Sequence, residues 1–170
     1  MLVFDATPLI YLTKTGCLKY LEKLEDEKVI PRSVYHEGVE KGKKKGHQDS
    51  LKFEKAVEED VFRIIDVEKG KMHEILDNDI LLSDADKDVL QSASDKGAIA
   101  LMDESYGRDI ADIEDIKNRG SIYLIFRFLK KDLISEEKAK DIVDSMIDEG
   151  WYCSTDLYKH IYRKIEEYQS

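Results

Sequence analysis

The alternation of short apolar stretches with longer helical segments most constrains how this chain can fold. Apolar runs at 2–4, 28–31, 61–67 and 98–102 predict strands, since each is short and bounded by polar or turn residues. The first of the intervening segments, 8–24, carries leucines near helical spacing and predicts a helix. Strands that alternate with helices favour a parallel sheet covered by helices, so the predicted fold class is α/β.

Local signals predict where the other helices begin and end. Ser33 is a candidate N-cap, and Ser83 with Asp86 three residues later predicts a capping box for a helix that Gly97 ends. The further predicted helices cover 32–45, 48–59, 83–97, a short segment around Ile110, 121–131, 135–150 and 154–168.

Composition bounds the class of protein. Hydrophobic residues make up 42% of the 170 residues, enough for one core, and no repeat, linker or low-complexity segment divides them. We therefore predict one domain over 1–170, with 121–170 as a C-terminal helical extension. The chain shows no long apolar run and no basic leader segment, so no membrane span or signal peptide is expected. The lone cysteines Cys17 and Cys153 favour the reduced cytoplasm.

The chain is acidic, with a formal net charge of −10. This charge is unfavourable for a generic nucleic-acid coat protein, which needs lysine and arginine against phosphate. It does not exclude a nuclease, because divalent cations neutralise an acidic metal site before phosphate approaches. Lys41, Lys43, Lys44 and Lys45 form a local basic cluster, interpreted either as a solvated helix end or as an edge that contacts phosphate.

Two of the predicted strands run directly into an aspartate. Asp5 follows the strand 2–4, and Asp103 follows the strand 98–102. The carboxyl ends of parallel strands lie at one edge of a sheet, where open α/β sheets bind their ligands. Asp5 is therefore interpreted as a ligand or as the N-cap of the helix that follows.

Further acids have a structural interpretation beside a functional one. Glu37 is typical of an exposed helix residue, and Asp84 and Asp86 suit the first turn of a helix, where carboxylates complement its dipole. Asp88 lies one turn further in, too far along for capping. Carboxylates gathered at one site suit Mg²⁺ or Mn²⁺, which activate water and stabilise charge on a phosphodiester. The four histidines show no ligand spacing and are interpreted as surface or packing residues: His36, His47, His73 and His160.

Several segments resemble, in order and spacing, a PIN-domain protein. They are VFDATPLIYLTKTG, VIPRSVYHEGVEKG and LSDADKDVLQSASDKGAIALMDESYGRDIA. The C-terminal segments GSIYLIFRFLKKDLIS and MIDEGWYCSTDLYKHI resemble the last helices of the solitary prokaryotic branch related to VapC-type toxins. The likeness covers nearly the whole chain. It implies a three-layer α/β/α sandwich with a central parallel sheet and extra C-terminal helices.

The resemblance also implies an activity, that of a metal-dependent endoribonuclease with Mg²⁺ or Mn²⁺ in a carboxylate pocket. The first family acid falls on Asp5, the second on Glu37 and the fourth on Asp103. The third falls best on Asp88 and next on Asp86, where the branch often has Gly-Glu in place of Ala-Asp. Candidates for support and for substrate binding are Thr7 as a hydroxyl, Arg108 as a phosphate or acid contact, and Lys43 and Lys44 of the basic cluster.

The same residues admit other functions. A haloacid-dehalogenase-type phosphatase also has an aspartate after its first strand, but it needs a second one where this chain has Thr7. A receiver-like phosphorylation domain fits the helical tail badly. A catalytically silent PIN module that binds RNA or a protein partner stays open. As partners, the resemblance implies an RNA substrate, a second copy in a homodimer and a small antitoxin protein, with no membrane.

Overall fold

A parallel sheet organises the molecule. The computed structural model describes residues 1–40 and 48–168. Its strands are β1 (Leu2–Phe4), β2 (Lys28–Pro31), β3 (Arg63–Ile65), β4 (Ile99–Leu101) and β5 (Asn118–Arg119). They form one sheet in the order β3-β2-β1-β4-β5, and every neighbouring pair is parallel. The predicted parallel sheet is confirmed.

Helices flank this sheet and pack on one another. They are α1 (Ala6–Lys14), α2 (Leu18–Leu21), α3 (Arg32–Tyr35) continued by a π-helical turn (His36–Glu40), α4 (Gln48–Glu58), α5 (Lys71–Ile75), α6 (Asp84–Lys96), α7 (Ser105–Ile113), α8 (Ser121–Lys130), α9 (Glu136–Asp148) and α10 (Thr155–Glu166). Helix α6 packs on β1, β2 and β4, while α8 contacts α1 and α9, and α9 contacts α10. In the described ranges, no helix has the length and apolarity needed to cross a membrane.

The single helix predicted over 8–24 is wrong. Helix α1 ends at Lys14, and Gly16 has a φ of +70°, a left-handed conformation that glycine adopts without strain and that stops the helix. The chain then re-enters a short helix, α2. The strand predicted over 61–67 is also shorter, because only 63–65 pair with β2.

The helix predicted over 32–45 takes a different form as well. Pro31 occupies the N-cap position of α3, so Ser33 is not the cap and its hydroxyl is used elsewhere. The helix widens into the π-helical turn, and residues 41–45 of the basic cluster, Lys43 and Lys44 among them, lie outside the described residues. The structure adds α5 and β5, which the sequence patterns did not predict.

The chain order of the sheet creates a crevice between β1 and β4. From β1 the chain builds β2 and β3 on one side, then crosses to build β4 and β5 on the other. Such a reversal leaves an opening at the carboxyl ends of the two central strands. All three residues of β1 are fully buried, and Phe4 pairs with Leu101. Asp5 and Asp103 therefore emerge side by side at this opening, on the predicted edge.

Candidate active site

Asp5 is a buried acidic residue, with only 4% of its surface exposed to solvent. It occupies the N-cap position of α1, yet its side chain makes no capping hydrogen bond, so the capping interpretation is not supported. The pKa of Asp5 is raised to about 7, chiefly by burial and also by the nearby charges of Asp86, Glu37 and Asp103, while a hydrogen bond from the backbone amide of Ala6 opposes the rise. Burial without a compensating cation favours the neutral acid.

The carboxylates that act on Asp5 come from separate elements. Glu37 lies half-buried in the π-helical turn, Asp86 half-buried in the first turn of α6, and Asp103 just beyond β4. Each of the three raises the pKa of Asp5, so each lies close enough for its negative charge to interact with the Asp5 carboxylate. We call Asp5, Glu37, Asp86 and Asp103 the carboxylate cluster. The negative charges of these side chains repel one another, and a bound cation would reduce this repulsion.

Asp103 is held by a network of donors. Its Oδ1 accepts a hydrogen bond from the Ser121 backbone N–H at 2.7 Å, and its Oδ2 accepts one from the Ser121 hydroxyl at 2.6 Å. Burial raises the pKa of Asp103, and these two bonds, the charge of Arg108 and the nearby Trp151 side chain oppose that rise. A Cβ atom at Gly120 would stand 3.0 Å from Asp103 Oδ1, so glycine leaves room for the carboxylate.

Asp86 and Asp88 face different surroundings although both lie on α6. Asp86 Oδ2 accepts from the backbone N–H of Ser83 at 2.7 Å and from its hydroxyl at 2.8 Å, which completes the predicted capping box. Asp88 Oδ2 accepts from the Ser33 hydroxyl at 2.5 Å, and its Oδ1 lies 2.7 Å from His73 Nε2. Asp88 is not among the largest influences on the pKa of Asp5.

His73 is a partner of Asp88 that sequence spacing does not reveal. The Gly70 backbone N–H donates to His73 Nδ1 at 3.3 Å, so in the neutral imidazole Nε2 carries the hydrogen and donates to Asp88. Only 12% of the His73 side chain is exposed, in keeping with the packing alternative predicted for it. Helix α6 packs against both α3 and α5. Asp88 on α6 therefore connects it to α3 through Ser33 and to α5 through His73.

The remaining predicted residues surround the cluster more loosely. Thr7 is half-buried in the first turn of α1, and Asp84 is exposed at the start of α6. Arg108 is largely exposed on α7, where its Nε donates to Asn118 Oδ1 at 3.2 Å and its charge acts on Asp103. The positively charged Arg108 side chain therefore lies on the β5 side of the site, next to Asp103, the fourth family acid.

Sequence reasoning missed the residues that hold Asp103. Ser121 and Trp151 are distant from it in the chain, and no spacing rule connects a strand-end acid to a later helix start. A Gly-Ser step before an apolar helix was the only local signal, because it marks a helix N-terminus with free N–H groups. Tyr11 was also missed: it is half-buried on α1, and the charges of Asp103 and Glu104 help to raise its pKa after burial does.

The donor chemistry of the cluster fits a hard divalent cation better than any other group. Its atoms are carboxylate oxygens, the ligands preferred by Mg²⁺ and Mn²⁺. Across 1–40 and 48–168, however, no three His, Cys, Asp or Glu side chains stand close enough to form a ready metal site. The fit therefore rests on the type and charge of the donors.

The sheet order and the acids at its crevice define an α/β protein with a carboxylate site at the carboxyl ends of β1 and β4. The sequence matches the family model DUF3368, described as a PIN domain, over residues 1–167. The chain belongs to the PIN-domain family, which confirms the predicted PIN domain and α/β/α architecture, though not the branch related to VapC-type toxins, and removes the phosphatase and receiver alternatives. PIN domains are in general metal-dependent nucleases. No match to the chain was found among curated proteins or among solved structures.

Proposed function

We propose that this chain is an endoribonuclease that depends on Mg²⁺ or Mn²⁺ held by Asp5, Glu37, Asp86 and Asp103. The observation that carries the proposal is the buried Asp5 carboxyl at the crevice of a PIN-domain sheet, where the charges of Glu37, Asp86 and Asp103 act on it. A carboxyl placed there at a cost to stability is typical of a functional group, because folding alone would favour an apolar residue.

The residues of the site divide the work of phosphodiester hydrolysis. A bound Mg²⁺ or Mn²⁺ supplies an activated water and neutralises charge that develops on the phosphate. Asp5 provides a ligand shielded from solvent, and Asp103 provides one whose rotamer is fixed by Ser121. Arg108 offers its charge to a phosphate oxygen on the side of Asp103. Thr7 stays a proposed supporting hydroxyl.

The third acid is proposed to be Asp86, with Asp88 in a structural role. Asp86 has one carboxylate oxygen engaged in the capping box, and its charge reaches Asp5. Asp88 instead bonds Ser33 on α3 and His73 on α5, contacts that suit a residue joining helices. Asp88 was the better match by motif, so the two aspartates have to be separated by experiment.

Cleavage of a labelled RNA in Mn²⁺ tests the proposal, with Asp86→Asn and Asp84→Asn as a matched pair on α6. Asparagine keeps an oxygen for the Ser83 cap, so Asp86→Asn should fold while its metal-dependent rate falls about 100-fold or more. Asp84→Asn should cleave like the wild type, because Asp84 is exposed and is not among the largest influences on Asp5. Asp5→Asn and Asp103→Asn should lose cleavage too, and chelation should abolish it in the wild type. Unchanged rates in all three site variants would contradict the proposal.

A catalytically silent PIN module is the second candidate, favoured by the absence of a ready group of three ligands among the described residues. It predicts Mn²⁺ binding by calorimetry without cleavage of any of a varied set of RNAs. A toxin role, a small antitoxin and a homodimer are proposals from the resemblance alone, and a cytoplasmic location is proposed from the two lone cysteines. Growth arrest on expression that a neighbouring short reading frame relieves would support the first two.

A further inference from the structure

A cavity of about 750 Å³ lies on the side of α6 that faces away from the carboxylate cluster. Residues of segment 67–77, which follows β3 and includes α5, line one wall, and Asp84, Lys87 and Asp88 of α6 line the other. These three positions share one face of the helix, because Lys87 and Asp88 lie three and four residues after Asp84. Asp86 lies two residues from Asp84 and from Asp88, a spacing that places it on the opposite side of α6. The cavity is therefore separate from the proposed metal site.

Hydrogen bonds hold the two walls of this cavity together. The Met72 backbone N–H donates to Gln91 Oε1 at 2.9 Å, and His73 Nε2 lies 2.7 Å from Asp88 Oδ1. A Cβ atom at Gly70 would stand 2.8 Å from Gln91 Nε2, so the chain passes α6 at a distance that only glycine allows. The cavity is thus formed by anchored elements, as is usual for a small-molecule site.

Lys87 is the feature of this cavity that folding does not explain. It is 8% exposed, and in 1–40 and 48–168 its Nζ has no hydrogen bond and no ion pair. Lys28 is buried to a similar degree, but its Nζ donates to the carbonyl oxygens of Leu24 at 2.6 Å and Asp26 at 2.8 Å. An ammonium group removed from water needs such partners. Lys87 therefore lines the cavity with an unused donor.

The acids nearest to Lys87 in the chain do not supply that partner. Asp79 has a lowered pKa, chiefly through a hydrogen bond from the Tyr106 hydroxyl and less through the charge of Lys87. No ion pair joins Asp79 to Lys87 in the part of the chain that the structure describes. Asp88 is engaged in the hydrogen bonds that connect α6 to α3 and α5. The positive charge of Lys87 is thus left for a molecule that enters the cavity.

The charged lining of the cavity contains more acids than cations. It consists of Lys69 and Lys87 against Glu74, Asp77, Asp84 and Asp88. Glu74, Asp77 and Asp84 are exposed, and within the described ranges their carboxylates form neither hydrogen bonds nor ion pairs. Opposite charges therefore line one cavity without pairing across it. A ligand that pairs with both must carry one anionic group, for Lys87, and more than one cationic group, for the acids.

We propose that this cavity binds a basic α-amino acid, with the carboxylate of the ligand on Lys87 and its two cationic groups on the exposed acids of the lining. The volume suits a small molecule, since such sites occupy roughly 300–1,000 Å³. A phosphate or a dicarboxylate would face the excess of acids, and a polyamine would leave Lys87 unpaired. The site does not depend on the proposed nuclease function, because neither metal nor RNA takes part in it.

Calorimetry with L-arginine and the full chain, in chelator and without RNA, tests the site. Wild type should bind, and Lys87→Met should raise the Kd about tenfold or more, because methionine keeps an apolar stem and lacks the ammonium group. Lys96→Met is the matched control: Lys96 is exposed near the end of the same helix, and the Kd should stay within about twofold of the wild type. Absence of saturable binding up to roughly 10 mM L-arginine and L-lysine would overturn the proposal.

Two related molecules separate this ligand chemistry from simpler ones. Agmatine is arginine without its carboxylate, and glutarate has carboxylates without a cationic group. Each should have a Kd for the wild type at least about tenfold above that of L-arginine. Equal affinity for agmatine would overturn the pairing with Lys87 in favour of a polyamine site, and equal affinity for glutarate would overturn the role of the acids in favour of an anion site. Both measurements use the wild type, so they decide the ligand class even if Lys87→Met does not fold.

Asp84→Asn tests the acids and separates this site from cleavage. Its Kd for L-arginine should rise about threefold to tenfold, because one charged partner is lost, while its RNA cleavage stays like that of the wild type. Asp141→Asn, exposed on α9, should change neither quantity. An unchanged Kd in both Asp84→Asn and Asp77→Asn would overturn the assignment of the acids. A chain that binds L-arginine and never cleaves RNA would contradict only the nuclease function, and cleavage without this binding would contradict only the amino-acid site.

The melting temperature gives a second readout for Lys87. Without ligand, Lys87→Met should melt at or above the temperature of the wild type, because an unpaired buried charge is removed. L-Arginine should raise the melting temperature of the wild type by mass action and leave that of Lys87→Met unchanged. A Lys87→Met protein that melts lower than the wild type and gains as much from L-arginine would make Lys87 a structural residue and overturn its role in binding.

Discussion

A buried acid with a raised pKa makes the stability of this protein depend on pH. The unfolded Asp5 carboxyl titrates near 3.8 and the folded one near 7. Between pH 4 and pH 7 the Asp5 carboxyl is deprotonated in the unfolded chain but still protonated in the folded protein. Because the folded state binds the extra proton, the free energy of unfolding should fall as pH rises from about 4 to 7. Without divalent metal, wild type should therefore lose about 1–3 kcal/mol more than Asp5→Asn between pH 5 and pH 8 in urea unfolding.

At pH 8, bound divalent metal should reverse the order of stability of the wild type and Asp5→Asn. In chelator, Asp5→Asn should be the more stable protein, because the asparagine carries no charge to bury. In Mn²⁺, wild type should gain stability by mass action and Asp5→Asn should gain little. Parallel pH profiles of the two proteins in chelator would contradict the pKa assigned to Asp5, whatever the metal does.

Asp88 should behave as a structural residue. Asp88→Ala leaves the Ser33 hydroxyl and His73 Nε2 without their shared acceptor, at a cost of about 1–3 kcal/mol in the free energy of unfolding. Asp84→Ala, an exposed change on the same helix, should cost at most about 1 kcal/mol. Denaturant titration measures both. The folded Asp88→Ala protein should retain Mn²⁺-dependent cleavage, and loss of cleavage at wild-type stability would return Asp88 to the metal site.

Among the elements, those with local end signals were predicted best. Helix α6 begins at Ser83 with its capping box and ends at Gly97, whose φ is +57°, as the sequence indicates. The leucine pattern over 8–24 failed because periodicity continues across Gly16, while the backbone does not. Short elements such as α5 and β5 carry too few apolar residues for any pattern, and tertiary contacts decide them.

The joint between α9 and α10 depends on one carboxylate. Asp144 accepts hydrogen bonds from Tyr158 at 3.0 Å and from Tyr162 at 2.6 Å. Asp144→Ala should lower the free energy of unfolding by about 1–3 kcal/mol and speed hydrogen exchange in α10, because two half-buried hydroxyls lose their acceptor. Asp141→Ala, exposed on the same helix, should change neither quantity. Equal exchange in the two variants would mean that apolar packing alone holds the joint.

At the scale of the whole molecule, the candidate site could be predicted only where its residues end a strand. Asp5 and Asp103 can be recognised in the sequence because each directly follows an apolar stretch that predicts a buried strand. The parallel pairing of the two strands then brings the two aspartates to the same edge of the sheet. The choice between Asp86 and Asp88 depends on which way α6 is rotated against the sheet. That rotation is a property of packing, which a motif match does not contain.

The same long-range assembly makes the C-terminal helices part of the domain. Segment 121–170 supplies Ser121, which holds Asp103, and contributes core side chains that include Leu124, Phe128 and Met146. Burial of each large apolar side chain stabilises the fold by about 1.5–3 kcal/mol, so removal of all of them exceeds the net stability of an ordinary domain. A chain ending at residue 120 should therefore show no cooperative thermal unfolding by circular dichroism.

A chain ending at residue 153 is the matched comparison. It loses α10 with the buried Ile161 and Ile165 but keeps α8, α9 and Trp151. It should melt cooperatively at a lower temperature than the full chain and keep measurable affinity for Mn²⁺, because every residue that contacts Asp103 remains. If the chain ending at residue 120 melts cooperatively and binds Mn²⁺ as tightly as the full protein, 121–170 is a separable extension. If it does not, the acids of the PIN crevice depend on the C-terminal helices for both their shape and their charge balance.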